Sequence, residues 1–90
     1  METIIVEPWV EGWAVRAKAV ENPMVFRSGR VAEHAARGLA FRLAKAGEPV
    51  RLDLRLRGGQ EEARFLCLPP LHPDSPPDLM SLPLKPTPGK

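Results

Sequence analysis

Apolar and polar residues alternate in several short stretches of the chain, which is the period of a strand with one buried face. The longest such stretch is Val50–Arg57, where four aliphatic residues alternate with three arginines and an aspartate. Shorter stretches predict further strands at residues 3–7, 12–19, 24–26 and 62–68. Pro8 and Asn22–Pro23 are expected to end the first two strands, because proline lacks a backbone donor. Gly58–Gly59 is typical of a tight hairpin turn between the last two strands.

Residues 29–46 have instead the 3.6-residue period of an amphipathic helix. Ser28 stands at the N-cap position, where its hydroxyl can accept a bond from a first-turn amide. Gly47 stands at the C-terminal end, and Pro49 follows two residues later. The apolar stripe of this helix is rich in alanine and consists of Val31, Ala32, Ala35, Ala36, Leu39, Ala40 and Leu43. Because alanine is small, we expect the helix to lie close to the sheet.

The order of these elements predicts an α+β fold, ββ(β)αββ, with one antiparallel sheet of about four strands. The helix is expected to cover one sheet face and to leave the other in water. Eight of the eleven prolines lie after residue 68, so neither helix nor sheet is expected there. We therefore predict a compact domain at residues 1–68 and an extended or disordered proline-rich tail at 69–90.

The small size of this domain favours association with a partner. A chain of this length buries only about 60% of the surface that its unfolded form exposes. Four apolar residues in the tail also favour association, since a tail that only contacts solvent would not need them. They are Leu79, Met80, Leu82 and Leu84. We expect them to cover apolar surface on the domain or on a neighbouring molecule.

Charge and composition exclude several classes of protein. The 90 residues are 43% apolar and 27% charged, with a formal net charge of +2, which is low for a dedicated nucleic-acid binder. No apolar run approaches the ~20 residues of a membrane helix, so no membrane partner is expected. No basic residue precedes Ile4-Ile5-Val6, so a secretory signal is not expected either. A single cysteine, Cys67, fits a protein of the reducing cytoplasm.

The residues that carry chemistry are few and scattered. The candidate metal ligands are His34, Cys67 and His72, and no two of them are closely spaced on one element. Cys67 follows Phe65 and Leu66 on a predicted strand, which favours a buried and inert thiol over a nucleophile. We therefore expect no enzyme active site, no metal and no cofactor.

Two surfaces remain as candidate binding sites. The first is the outward sheet face, whose candidate nucleic-acid contacts are Arg16, Lys18, Arg51, Arg55, Arg57 and Arg64. A basic sheet can lie against a phosphate backbone, although Asp53 and Glu62 would dilute its field. The opposing interpretation is a solvated face held together by cross-strand ion pairs.

The second candidate surface is on the helix, opposite the alanine stripe. Phe41 projects there at the same angle as Arg30, His34 and Arg37, and a large apolar group on a polar face favours a partner contact. That partner could be the tail, a second protomer or another protein. Our leading hypothesis is a non-enzymatic interaction module that self-associates, and the alternative is a nucleic-acid-binding domain.

Several core and turn residues also resemble the small bacterial domain-of-unknown-function family 2188. They are Gly12-Trp13-Ala14-Val15, Phe26, Ser28, Ala32, Ala36-Arg37, Leu39-Ala40 and Gly58-Gly59. The resemblance covers roughly residues 4–66 and none of the proline-rich tail. It implies a compact α+β module of unassigned activity, and it transfers no catalytic residue.

Overall fold

The alternating segments and the alanine-rich segment form a sheet and a helix packed on it in a computed structural model, which describes residues 1–56 and 61–83. Six strands and one helix occur in this part of the chain. They are β1 (Glu2–Trp9), β2 (Gly12–Ala17), β3 (Val20–Phe26), α1 (Gly29–Lys45), β4 (Val50–Arg55), β5 (Glu61–Leu68) and β6 (Asp78–Leu82). The predicted Gly58–Gly59 turn lies outside the described residues. No helix in the described ranges has both the length and the apolar character needed to span a membrane.

The strands form one mixed sheet in the order β3-β2-β1-β4-β5-β6. The α+β class with one helix is confirmed for the described residues, and the prediction of about four antiparallel strands is matched in part, because four of the five strand pairings are antiparallel but the sheet has six strands and one parallel pair. The two central strands, β1 and β4, are parallel, with Ile4 beside Leu52. The reason is the helical connection. It takes the chain from β3 past β2 and β1, so β4 runs in the same direction as β3 and β1.

Two prolines that were expected to end strands lie inside them. Pro8 belongs to β1 and pairs with Trp13 of β2. The pairing of β1 with β4 stops at Val6, so Pro8 lies where β1 has a described neighbour on one side only. Pro23 belongs to β3, an edge strand. Proline is tolerated at such positions because its missing donor interrupts no ladder.

The proline-rich segment contributes the sixth strand. Asp78–Leu82 is a run of five residues without proline, bounded by Pro77 and Pro83, and it pairs antiparallel with β5. The expectation that residues 69–90 form no sheet is therefore wrong for this run. Lys45 Nζ also donates to the carbonyl oxygens of Pro73 and Ser75, at 3.1 and 3.3 Å. These contacts link the loop before β6 to the end of α1.

Both ends of α1 are built as the sequence predicts. The Ser28 hydroxyl accepts bonds from the backbone N–H groups of Arg30 and Val31, at 3.1 and 3.3 Å. At the other end Gly47 has φ 103°, and the next amide, that of Glu48, donates to the Leu43 carbonyl at 2.9 Å. This is a Schellman motif, which requires a left-handed residue and therefore favours glycine.

The core lies between α1 and one sheet face. Four alanines at intervals of four residues are fully buried on the helix: Ala32, Ala36, Ala40 and Ala44. They pack over aliphatic residues of β1, β2 and β4, chiefly Ile4, Val15, Val50 and Leu52. Val31, expected in the buried stripe, is instead exposed at the first turn. The small alanine side chains let the helix lie close to the sheet.

Candidate interaction surfaces

The sheet face that α1 leaves uncovered, called the open face below, carries the outward residues of β4. Leu52 and Leu54 point into the core, so Arg51, Asp53 and Arg55 point to the open face. The strand register adds Arg16 of β2 and Arg64 of β5, because each alternates with core residues of its own strand. Four of the six predicted basic contacts therefore share one face.

Acidic groups on the same face offset much of this charge. Arg51 Nε donates to Asp53 Oδ1 at 3.0 Å, and Asp53 is only 2% exposed although α1 lies on the other face of the sheet. Arg16 Nε lies 3.4 Å from Glu7 Oε2 on β1. Arg16 is half exposed, so this pair contributes at most about 1 kcal/mol. The open face therefore has the ion pairs of a solvated sheet as well as a basic excess.

The two remaining basic candidates differ in position. Lys18 follows the end of β2 and lines a shallow open depression together with Arg16 and Ile5. Its backbone N–H donates to the buried Glu2 carboxylate at 2.5 Å, which fixes the turn into β3. Arg57 lies outside the described residues. Arg55 Nε is shielded from solvent and has no hydrogen-bond partner among the described side chains.

The candidate contacts on α1 are divided by the structure. Arg30, His34 and Phe41 are exposed, and Phe41 retains 39% of its surface. Arg37 is half-buried because its guanidinium lies 4.8 Å from the centroid of the Phe65 ring. The same guanidinium binds Glu33 at 2.7 Å, one turn earlier on the helix. Arg37 therefore helps to cover β5.

The pair of strands β5 and β6 forms a less covered end of the sheet, called the β5–β6 margin below. The helix packs over β1, β2 and β4 and contacts β5 without a comparable contact to β6. Apolar side chains consequently lie on both faces of the margin. On the helix side Phe65 and Leu79 pack against the edge of the core, and on the open face, which α1 does not cover, lie Leu66, Leu68, Met80 and Leu82. All six keep some exposed surface.

Cys67 is the fully buried residue of the margin, as the strand pattern predicts. Burial, with a smaller contribution from the nearby Asp78 carboxylate, raises the pKa of the Cys67 thiol. A neutral, enclosed thiol is a poor nucleophile. His34 and His72 lie on separate elements, and the described residues contain no group of three His, Cys, Asp or Glu side chains that could hold a metal ion.

Comparisons with known proteins add no functional assignment. No protein-family model matches the chain, and the searches of curated proteins and of solved structures find no similar protein either. The resemblance to family 2188 therefore depends on the core and turn motifs quoted above. The function of this protein is therefore inferred from the residues on its own surface.

Proposed function

We propose that this protein is a non-enzymatic interaction module that associates with a second copy of itself. One observation carries the proposal, namely that the β5–β6 margin has apolar side chains on both of its faces. An ordinary two-layer sheet has apolar residues toward its helix and polar residues toward water. Here Leu66 and Met80 lie on the open face directly opposite one another, beyond the reach of α1.

A partner at this margin has a physical basis in the hydrophobic effect. Each square ångström of apolar surface that a contact removes from water contributes roughly 25 cal/mol. The margin residues, Phe41 and Leu71 of the β5–β6 loop are large apolar groups of the described chain that keep exposed surface at this end of the sheet. The exposed apolar groups Trp9 and Val25 belong to the opposite half of the sheet. A second copy brings an identical margin, as in a two-fold symmetric dimer.

Sedimentation velocity of the full chain, from micromolar to millimolar concentration, tests the proposal. We expect the average mass to rise from that of one chain toward that of two. A sedimentation coefficient that stays at the monomer value up to millimolar concentration would show that the protein does not self-associate. Replacing Phe41 with glutamate reports separately on the helix surface, since this exposed residue can change without disturbing the core.

A second candidate function, binding to a nucleic-acid backbone, is favoured by the grouping of basic residues on the open face. Arg55 is the best-placed of these arginines, because it forms no ion pair among the described residues. Its guanidinium therefore does not have to leave a carboxylate before it binds a phosphate. The ion pairs of Arg16 and Arg51 weaken this candidate, because each must be loosened before the arginine can contact a phosphate.

Fluorescence anisotropy with duplex DNA and duplex RNA distinguishes the two functions. Four phosphate contacts would give a slope of roughly −4 for log affinity against log salt concentration. Arg55→Gln should weaken that binding, whereas Arg30→Gln, a matched change on the helix surface, should not. If neither duplex binds at low salt, this second function is removed while self-association is unaffected.

A further inference from the structure

The two edges of the sheet differ in how they discourage pairing with another strand. The outer strand β3 carries Glu21, Asn22 and Pro23 in its middle and has a register irregularity against β2. Charge, proline and bulges are the devices that protect an edge. The opposite outer strand, β6, has no proline and no irregularity, and its central residues are Leu79, Met80 and Ser81. The β6 edge is therefore the one suited to accept a strand.

The prolines that bound β6 restrict how two copies can pair. Pro77 and Pro83 limit the available strand to the five residues Asp78–Leu82. Two β6 strands that pair antiparallel through all five of these residues have only one possible register. It sets Met80 opposite Met80, Leu79 opposite Ser81, and Asp78 opposite Leu82. Since Leu79 and Ser81 both face the helix side, this register places the helices of the two copies on the same side of the combined sheet.

Charge complementarity supports the same register. Asp78 has no ion-pair partner among the described residues. In the paired sheet it would lie beside Leu82 of the second copy, and the next residue in that row is Arg64. Two strand spacings place the Cα atoms about 10 Å apart, which aspartate and arginine side chains can bridge together. No like charges face each other anywhere in the five-residue pair.

We infer that two copies associate by antiparallel pairing of their β6 edges, with Met80 on the two-fold axis, to form one continuous twelve-stranded sheet. This inference rests on the proposed self-association and adds its surface and its register. Backbone hydrogen bonds supply the attraction, as in other cases of strand addition. Five residues bury less than the ~800 Å² per partner of a standard interface, so the dimer is expected to dissociate on dilution.

Charge exchange at the axis tests the register in the full-length protein. Met80→Glu and Met80→Lys each place two like charges directly opposite one another, which destabilises a cross-strand pair. We expect each variant alone to dimerise at least tenfold more weakly than the unmodified protein. A one-to-one mixture of the two should regain dimerisation, because glutamate then faces lysine. Val25→Glu and Val25→Lys, matched changes on the open face of β3, should leave dimerisation unchanged.

Sedimentation velocity, with circular dichroism to confirm folding, separates the outcomes. If the unmodified protein dimerises and both Met80 variants dimerise equally well, the β6 interface is wrong although self-association stands. If the one-to-one mixture dimerises no more tightly than either variant alone, the register with Met80 on the axis is wrong. If the unmodified protein is monomeric throughout, the proposed function fails, and this interface fails with it.

Discussion

The alanine ridge of α1 allows a sharp test of how closely the helix packs. Ala40→Leu adds three carbon atoms at a position with no exposed surface, between α1 and the aliphatic residues of the central strands. Overpacking of a filled core costs about 1–3 kcal/mol. Leucine and alanine differ little in helix propensity, so a loss of stability reports on packing between helix and sheet.

The expected loss is large for a protein of this size. At about 0.05–0.15 kcal/mol per residue, such a chain has a free energy of unfolding of roughly 5–13 kcal/mol. A change of 1–3 kcal/mol lowers the Tm by about 4 °C at the least. Urea denaturation followed by circular dichroism measures the change directly, and the free energy of unfolding is compared with that of the unmodified protein.

His34→Leu is the matched control, because His34 lies on the exposed side of the same helix. This variant should differ from the unmodified protein by no more than about 0.5 kcal/mol. Equal stability of Ala40→Leu and His34→Leu would refute the reasoning, since it would mean that the alanine ridge has room for larger side chains.

Three further predictions follow from other parts of the fold. Gly12→Ala should destabilise the protein, because a Cβ at Gly12 would overlap a backbone carbonyl of β3. Gly38→Ala should stabilise it by about 0.5–1 kcal/mol, since this helical position has room for a Cβ. Thermal denaturation should therefore give a lower Tm for the first variant and a higher Tm for the second than for the unmodified protein. Because burial raises the pKa of Cys67, the unfolded thiol ionises first, and the free energy of unfolding should fall as pH rises above the ordinary thiol value of 9.0. In Cys67→Val this part of the pH dependence should vanish, and an unchanged profile would mean that the thiol is not enclosed. A chain ending at Leu68 lacks β6, and its free energy of unfolding should be lower than that of a chain ending at Pro83. The expected difference is at least about 1.5 kcal/mol, the contribution of one buried aliphatic side chain. Equal urea midpoints for the two chains would argue against a structural role for β6.

Local features of this fold could be predicted from sequence because they depend on neighbouring residues. The alternation after Val50 identifies β4 and its two faces, since successive side chains of a strand point in opposite directions. Ser28 and Gly47 locate the ends of α1 because capping uses groups within a few residues. The grouping of Arg51 and Arg55 on one face follows from the same alternation.

Long-range features could not be predicted in this way. The parallel pairing of Ile4 with Leu52 depends on which side of β1 the chain reaches after α1, and no local pattern encodes that choice. The strand β6 was missed because proline content was averaged over the whole segment, although Asp78–Leu82 itself contains no proline. The β5–β6 margin was missed for the same reason, because it exists only when β6 lies beside β5.

The position of β6 beside β5 is the central claim, since the margin, the edge and the dimer register all depend on it. Backbone nuclear Overhauser effects in the full-length, isotope-labelled protein measure this pairing directly. The structure predicts cross-strand contacts between Leu79 and Cys67 and between Ser81 and Phe65. If these contacts are absent and residues 78–82 show random-coil chemical shifts, β6 is not part of the sheet, and the proposed interface is contradicted.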